Sequence, residues 1–248
     1  MTSSATQNVH RSNQAWFERI SDRETLDFGI AFFSERYANY GGANQLREVV
    51  LDDVPIEQAW DQCEAFFNER GPSCLRWVPA ITQPPEPMEP FLIERGYRRV
   101  ESRVLQISSW IGIAGGEDLR VVPARAVRQA YAEFCGEQAD LSIDRLDDPG
   151  LEMSVAIIGP SNAAQTRVIG RLGFFQIGDI GRVRDLSVRP DSAETGVAPA
   201  LMRHVLNFAR RMDVRSVCAE IRTTDIEQLS LHQKCGFEDC GSLVRFER

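Results

Sequence analysis

The chain has 248 residues, 43% apolar and 26% charged, which is enough apolar material for a real core and excludes wholesale disorder. Its 28 basic and 36 acidic side chains give a net charge of −8, which removes the electrostatic argument for a nucleic-acid partner. The longest apolar runs, such as Val155-Ala-Ile-Ile158, fall far short of the ~20 residues of a membrane span, and the polar start, MTSSATQNVHRSNQ, has no apolar signal segment, so a cytoplasmic protein without a membrane partner is expected.

Residues 1–14 are rich in Ser, Thr, Asn and Gln and read as a frayed terminus. Helical stretches are expected over Gln14–Ile20 and Leu26–Arg36, with a turn at Asn39-Tyr-Gly-Gly42. A strand over Glu48–Leu51 precedes a helix over Ile56–Arg70, whose Ile56, Ala59, Trp60, Cys63, Phe66 and Phe67 fall near helical spacing and which Gly71 ends. Leu75–Val78 reads as a strand, the proline-rich Gln83–Pro90 as irregular, Phe91–Arg95 as a short helix stopped by Gly96, and Arg98–Ile107 as a strand. The small, uncharged Ile111-Gly-Ile-Ala-Gly-Gly116 is the expected linker, dividing domains 1–114 and 118–248.

Beyond the linker, Leu119–Val122 reads as a strand, Ala126–Cys135 as a helix, and Arg145–Ile158 as a helix passing into a strand. Two strands follow, Gln165–Gln176 and Gly181–Val188, turning at Gly178-Asp179. Pro199–Met212 is the clearest helix, with a stripe of Leu201, Val205, Phe208 and Met212. Val214–Ile221 is a strand, a helix starts at Thr224-Asp-Ile-Glu227 with capping-box spacing, Gly236 ends it, and Phe237 onward is a strand. The second half thus reads β-α-α-β-β-β-α-β-α-β, a mixed α/β (α+β) layered fold. Phe91-Leu-Ile-Glu-Arg-Gly96-Tyr97 echoes Leu231-His-Gln-Lys-Cys-Gly236-Phe237, each a helix stopped by Gly and followed by an aromatic anchor.

Six cysteines without a CxxC pair, and three histidines, do not make a zinc site, so no metal is expected and the thiols are read as reduced core residues. The segment that carries chemistry is Val188 to Leu201: a strand ends, a turn follows, and Gly196 and Ala198 lead into the strong helix. Peptide N–H groups at a helix start lack intrahelical partners, and with the helix dipole they form a seat for a phosphate or diphosphate. Gly196 and Ala198 keep side-chain bulk away from such a ligand.

The ordered set around this loop resembles the GNAT superfamily of acyl-CoA-dependent N-acetyltransferases. The loop Ala193-Glu-Thr-Gly196-Val-Ala198 is similar to the family's (Arg/Gln)-x-x-Gly-x-(Gly/Ala). The later Asp225-Ile-Glu-Gln-Leu-Ser-Leu231-His232-Gln-Lys234-Cys-Gly236-Phe237 is similar to its Asn-x-x-Ala-x-x-Leu-Tyr-x-Lys-x-Gly-Phe. The resemblance covers Leu119 to the end of the sequence and implies a GNAT-like central mixed sheet flanked by helices, with a smaller, degenerate GNAT-like half before it. It implies acetyl-CoA as co-substrate: pantetheine along Leu186, Ser187 and Val188, and diphosphate on the amides of Thr195, Gly196, Val197 and Ala198. Glu194 and Asp225 lie beside that cofactor in the same motifs, and the acyl carbonyl falls between splayed strands Arg182–Val188 and Val214–Ile221. An amine on a small molecule or peptide attacks directly, so no Ser or Cys nucleophile is needed.

The sequence departs from the pattern at Ala193, in place of Arg or Gln, at Glu194, which adds negative charge, and at Arg182, where some members carry a glutamate base. Three residues are candidate catalytic groups. Asp185, within a strand, takes the amine proton or pairs with Arg182 or Arg184. His232, at the family's frequent tyrosine position, protonates the leaving thiolate or is a buried histidine bonded to backbone. Glu220 holds the amine or relays its proton, or is a strand-edge carboxylate paired with Arg222 or Arg215. The expected function is therefore an N-acetyltransferase acting on a primary amine. The alternative is a catalytically inactive GNAT-fold acyl-CoA sensor or protein-interaction module; a homodimer is one assembly open to either.

Overall fold

The computed structural model describes residues 3–113, 119–159 and 166–248, except for the side chains of Glu194 and Thr195. Residues 114–116 of the expected linker, and the domain boundary at 114–118, lie outside the described residues. Two compact units form: Met1–Val104 with Ile221–Thr224 and Cys240–Arg248, and Leu105–Glu220 with Asp225–Asp239. Among the described residues, no helix is long and apolar enough to cross a membrane.

The first unit begins with a helix, not a frayed end. In α1 (Ser4–Phe17) the Ser3 hydroxyl caps the first turn by accepting from the Thr6 amide at 3.1 Å. Ala5, Val9, Ser12 and Trp16 recur on one buried face. The first three turns bury small and polar residues beside Val9, which is why composition alone hides them. The helix expected over Leu26–Arg36 is instead a hairpin of β1 (Asp22–Leu26) and β2 (Gly29–Phe33), turning at Asp27-Phe28. The cross-strand approach explains it: a Cβ on Gly29 would stand 2.8 Å from the Arg47 carbonyl oxygen.

Next, β2 pairs antiparallel with β3 (Gln45–Val49), which pairs parallel with β4 (Arg76–Pro79) across α2 (Ile56–Arg70). A short α3 (Glu89–Glu94) leads to β5 (Arg98–Ile107). Trp77, Phe67, Leu46, Leu92 and Phe246 are fully buried at the centre of this unit. Phe246 is the Cα partner of Trp77, so the chain's last strand completes the first unit.

The second unit reproduces the expected order of elements. From β6 (Arg120–Pro123) the chain passes through α4 (Arg128–Cys135) and α5 (Ala139–Asp144) into an antiparallel run of β7 (Leu151–Ile158), β8 (Arg167–Ile177) and β9 (Ile180–Val188). Then α6 (Val197–Ala209) crosses to β10 (Ser216–Arg222), parallel to β9, and α7 (Ile226–Lys234) leads into β11 (Phe237–Glu247). Helix α6 lies on one face of the strands, where a Cβ on Gly170 would stand 2.6 Å from Val197 and 3.1 Å from Leu201. Tyr131 of α4 packs with Met153, Val155 and Val168 in a separate core. The chain thus has a mixed α/β architecture of sheets flanked by helices.

Candidate active site

The site grows out of two irregularities in β9. The parallel ladder to β10 runs from Ile180↔Ser216 to Arg182↔Cys218 and stops there, so beyond Arg182 the two strands part. At the point of parting, Arg182 of β9 donates to Glu220 of β10 at 3.0 Å, and both side chains are nearly buried. The second irregularity is Asp185, at φ 60° in a strand otherwise extended. The β8 register jumps from Arg171↔Ser187 to Gly173↔Arg184, so Asp185 and Leu186 together face the single Leu172. Such a bulge leaves one residue outside the ladder and bends the strand.

The opening is a groove of about 450 Å³. Leu186, Ser187 and Val188 form one wall, and Ala198 and Pro199 of α6 form its end. Asp225, Gln228 and Leu231 of α7 close the other side. The structure therefore brings together most of the residues assigned to a cofactor from sequence. The Glu194 and Thr195 side chains lie outside the described set.

Gly196 supplies the left-handed step (φ 76°) that swings the chain into α6, and no side chain caps the helix. Pro199 has no N–H, and the Ala200 amide bonds the Gly196 carbonyl at 3.1 Å. The start of α6 thus presents the Val197 and Ala198 amides. The cap of α7 is one residue later than the capping-box reading: Asp225, not Thr224, accepts from the Gln228 amide at 3.0 Å and from the Gln228 side chain at 2.6 Å. Asp225 therefore lines the groove and fixes α7 at once.

The three candidate catalytic groups differ in placement. Asp185 is partly exposed beside the groove, bonded by Arg184 at 2.8 Å. Desolvation opposes its ionisation, but the charges of Arg184 and Arg171, the Arg184 hydrogen bond and Arg182 outweigh it and hold the carboxyl below the usual carboxylate range. Glu220 is committed to Arg182. His232 is buried and is not among the groove-lining residues. Its Nδ1 donates to the Gln228 carbonyl at 2.7 Å, and its ring meets Phe237 edge-on at 5.2 Å. Burial pushes its pKa down, against the Gln228 hydrogen bond and the Asp225 charge, so the ring is neutral at pH 7.

Sequence reasoning missed Arg171, on the α4 side of the bulge. Arg171 of β8 donates to Cys135 Sγ at 3.1 Å and Ser142 Oγ at 3.4 Å. Arg189, just past β9, donates to the Val168 carbonyl at 2.8 Å. The signal was present: Arg171 is the one charge within the apolar run Val168–Phe175.

A family model described as Acetyltransferase (GNAT) family matches residues 125–237. Among solved structures, the chain is similar to a GCN5-related N-acetyltransferase from Kribbella flavida, with TM-score 0.66 and 11% identity over 100% of this chain and 96% of that one. It is also similar to a functionally unknown conserved protein from Staphylococcus epidermidis, with TM-score 0.63 and 12% identity over 93% and 96%. A GCN5-related N-acetyltransferase from Sphaerobacter thermophilus gives TM-score 0.56 and 14% identity over 82% and 72%. These likenesses are of fold. None of the curated proteins matches.

Proposed function

We propose, for a chain whose residues 125–237 match the family model of the GNAT acetyltransferases, that it moves an acetyl group from acetyl-CoA to a primary amine by direct attack. The observation that carries this reading is the groove where β9 and β10 part, closed at one end by an uncapped helix start. Pantetheine follows the backbone of Leu186, Ser187 and Val188, and the diphosphate accepts from the amides at Gly196, Val197 and Ala198. The bulge peptide at Asp185-Leu186 donates to the acyl carbonyl, where negative charge grows as the amine adds.

The amine nitrogen forms a bond to the acyl carbon, the C–S bond breaks, and the sulfur leaves as thiolate. The bound ammonium first loses a proton to water held by Asp185, so that a free amine attacks; the nitrogen loses a second proton to solvent once the C–N bond has formed, and the thiolate takes one from solvent. A carboxylate below the usual range is a weak base but a good anchor for an ammonium group, which is the role assigned to Asp185. His232 cannot give a proton to sulfur from a neutral ring whose one N–H is bonded to Gln228, so its assigned role is to brace α7. Glu220 balances Arg182 at the base of the wedge.

The first unit is read as a shortened relative of the second. Glu48 in β3 has φ 54°, as Asp185 in β9 has φ 60°, and each strand precedes a helical crossover to a parallel partner. Where α6 has its Gly196 entry, α2 has Asp52-Asp53-Val54-Pro55, whose charge disfavours a diphosphate. One transfer centre is therefore expected. The buried Arg182–Glu220 pair at a position of family chemistry also favours a second reading, an inactive acyl-CoA-binding module. Calorimetric titration with acetyl-CoA, alongside CoA release over a panel of amines, separates them. Binding with turnover supports transfer, binding without turnover supports the module, and no binding defeats both.

A further inference from the structure

We infer that the acceptor amine also carries a carboxylate, and that Arg171 and Arg189 hold it beside Phe134. The inference rests on the acetyl-transfer reading and names the substrate class of that site.

Arg171 and Arg189 lie on one side of the β8–β9 ladder. Arg171 is the Cα partner of Ser187, and the Arg189 amide bonds the Ile169 carbonyl at 2.9 Å, so the two are diagonal neighbours on adjacent strands. Both guanidiniums lie by the Phe134 ring of α4, at 5.9 and 5.2 Å from its centroid. The nearby arginines are neutralised, Arg182 by Glu220 and Arg184 by Asp185. Among the described residues, no carboxylate stands within ion-pair distance of Arg171 or Arg189. Arg171 reaches the Cys135 thiol and the Ser142 and Tyr131 hydroxyls, and its buried Nε has no hydrogen-bond partner.

A largely desolvated guanidinium normally finds an anion, because its charge is costly to hide unpaired. Burial works against the charge on Arg171, but the Tyr131 hydroxyl, Asp185 and the Cys135 thiol outweigh it, so the side chain stays cationic. Two guanidiniums side by side, with no carboxylate of the described residues paired to either, suit a carboxylate in two-point contact. The field of Asp185 reaches Arg171, so the anion seat adjoins the place assigned to the ammonium. A molecule with an amine and a carboxylate a few bonds apart satisfies both.

The test uses matched pairs: L-phenylalanine with phenethylamine, and L-lysine with cadaverine. Turnover is read as CoA release, and binding by titration into the full chain loaded with CoA. The wild type is expected to prefer the acids at least tenfold in KM and Kd. R171Q should raise KM and Kd for the acids tenfold or more while leaving kcat within about threefold and acetyl-CoA affinity within twofold. R171K should recover part of the loss, and R189Q reports on the same seat should R171Q not fold. Equal or better binding of the decarboxylated amines overturns the inference, as does failure of both acids to bind the loaded protein. Loss of acetyl-CoA affinity in R171Q and R189Q also overturns it, because the anion is then the cofactor's phosphate. Turnover confined to decarboxylated amines sinks this inference and leaves acetyl transfer standing; absence of acetyl-CoA binding in the wild type sinks both.

Discussion

The Arg182–Glu220 pair makes a quantitative test of how the wedge is held open. Its side chains are 7% and 11% exposed, so each ion has lost most of its hydration and depends on its partner. Breaking a buried pair by removing one member costs about 3–5 kcal/mol, whereas replacing both by apolar groups of similar size is neutral or stabilising. R182M or E220L alone should therefore destabilise by ~3 kcal/mol, or about 6–12 °C in Tm for a chain of this size. R182M/E220L should regain most of that loss. Thermal unfolding of the four proteins gives the coupling energy as a double-mutant cycle. A double variant as unstable as the sum of the singles would refute the reasoning, because each side chain would then act through other contacts. The double variant should still bind acetyl-CoA, since neither side chain lines the groove.

Four further outcomes are expected. D185N should lower kcat/KM by about ten- to hundredfold, a loss of ~1.4–2.7 kcal/mol in transition-state binding, with acetyl-CoA affinity kept; and since the Asp185 carboxyl sits below the usual range, the wild-type pH–rate profile should show no acid limb from it above about pH 4. Gly236→Ala should be strongly destabilising in thermal melts, because at φ 91° its Cβ would stand 2.0 Å from the Ser109 carbonyl oxygen. Glu247 loses hydration, but Arg76 and Arg245, with the Arg245 hydrogen bond and Arg222, hold its carboxyl below the usual range; its stabilisation is then full above the unfolded pKa of about 4.3 and lost as pH falls through the lower folded value, so acid titration of E247Q should show a shallower loss of stability. A fragment of residues 1–114 should fail to fold, since it lacks the buried Phe246 and its pairing with Trp77; a sharp unfolding transition in that fragment would contradict this.

The parts of the molecule legible in sequence are those with strong local signals. Helix α6 has a continuous apolar stripe, Gly196 announces its entry, and Gly236-Phe237 marks the end of α7. The order of elements in the second unit follows from these punctuation marks. The first turns of α1 were hidden because they bury Ala5, Thr6, His10 and Ser12, and large aromatic residues enter the buried face only at Trp16 and Phe17. The hairpin at 22–33 was hidden because its partner, β3, lies distant in sequence and alone explains the close approach at Gly29. The bulge at Asp185 has no sequence marker, since an aspartate in a left-handed conformation inside a strand is set by register and not by residue type. Arg171 is visible as a charge in an apolar strand, but only the fold shows that, among the described residues, no carboxylate stands within ion-pair distance of it.

The account depends most on the start of α6 gripping the diphosphate of acetyl-CoA. Hydrogen–deuterium exchange with and without saturating acetyl-CoA reads those amides directly. Slower exchange is predicted at Gly196, Val197 and Ala198 and along Leu186–Val188, and the Gly196→Glu variant, whose carboxylate would occupy the anion seat, should show none. Acetyl-CoA binding that leaves exchange at 186–188 and 196–198 unchanged, or protection that survives Gly196→Glu, would contradict it.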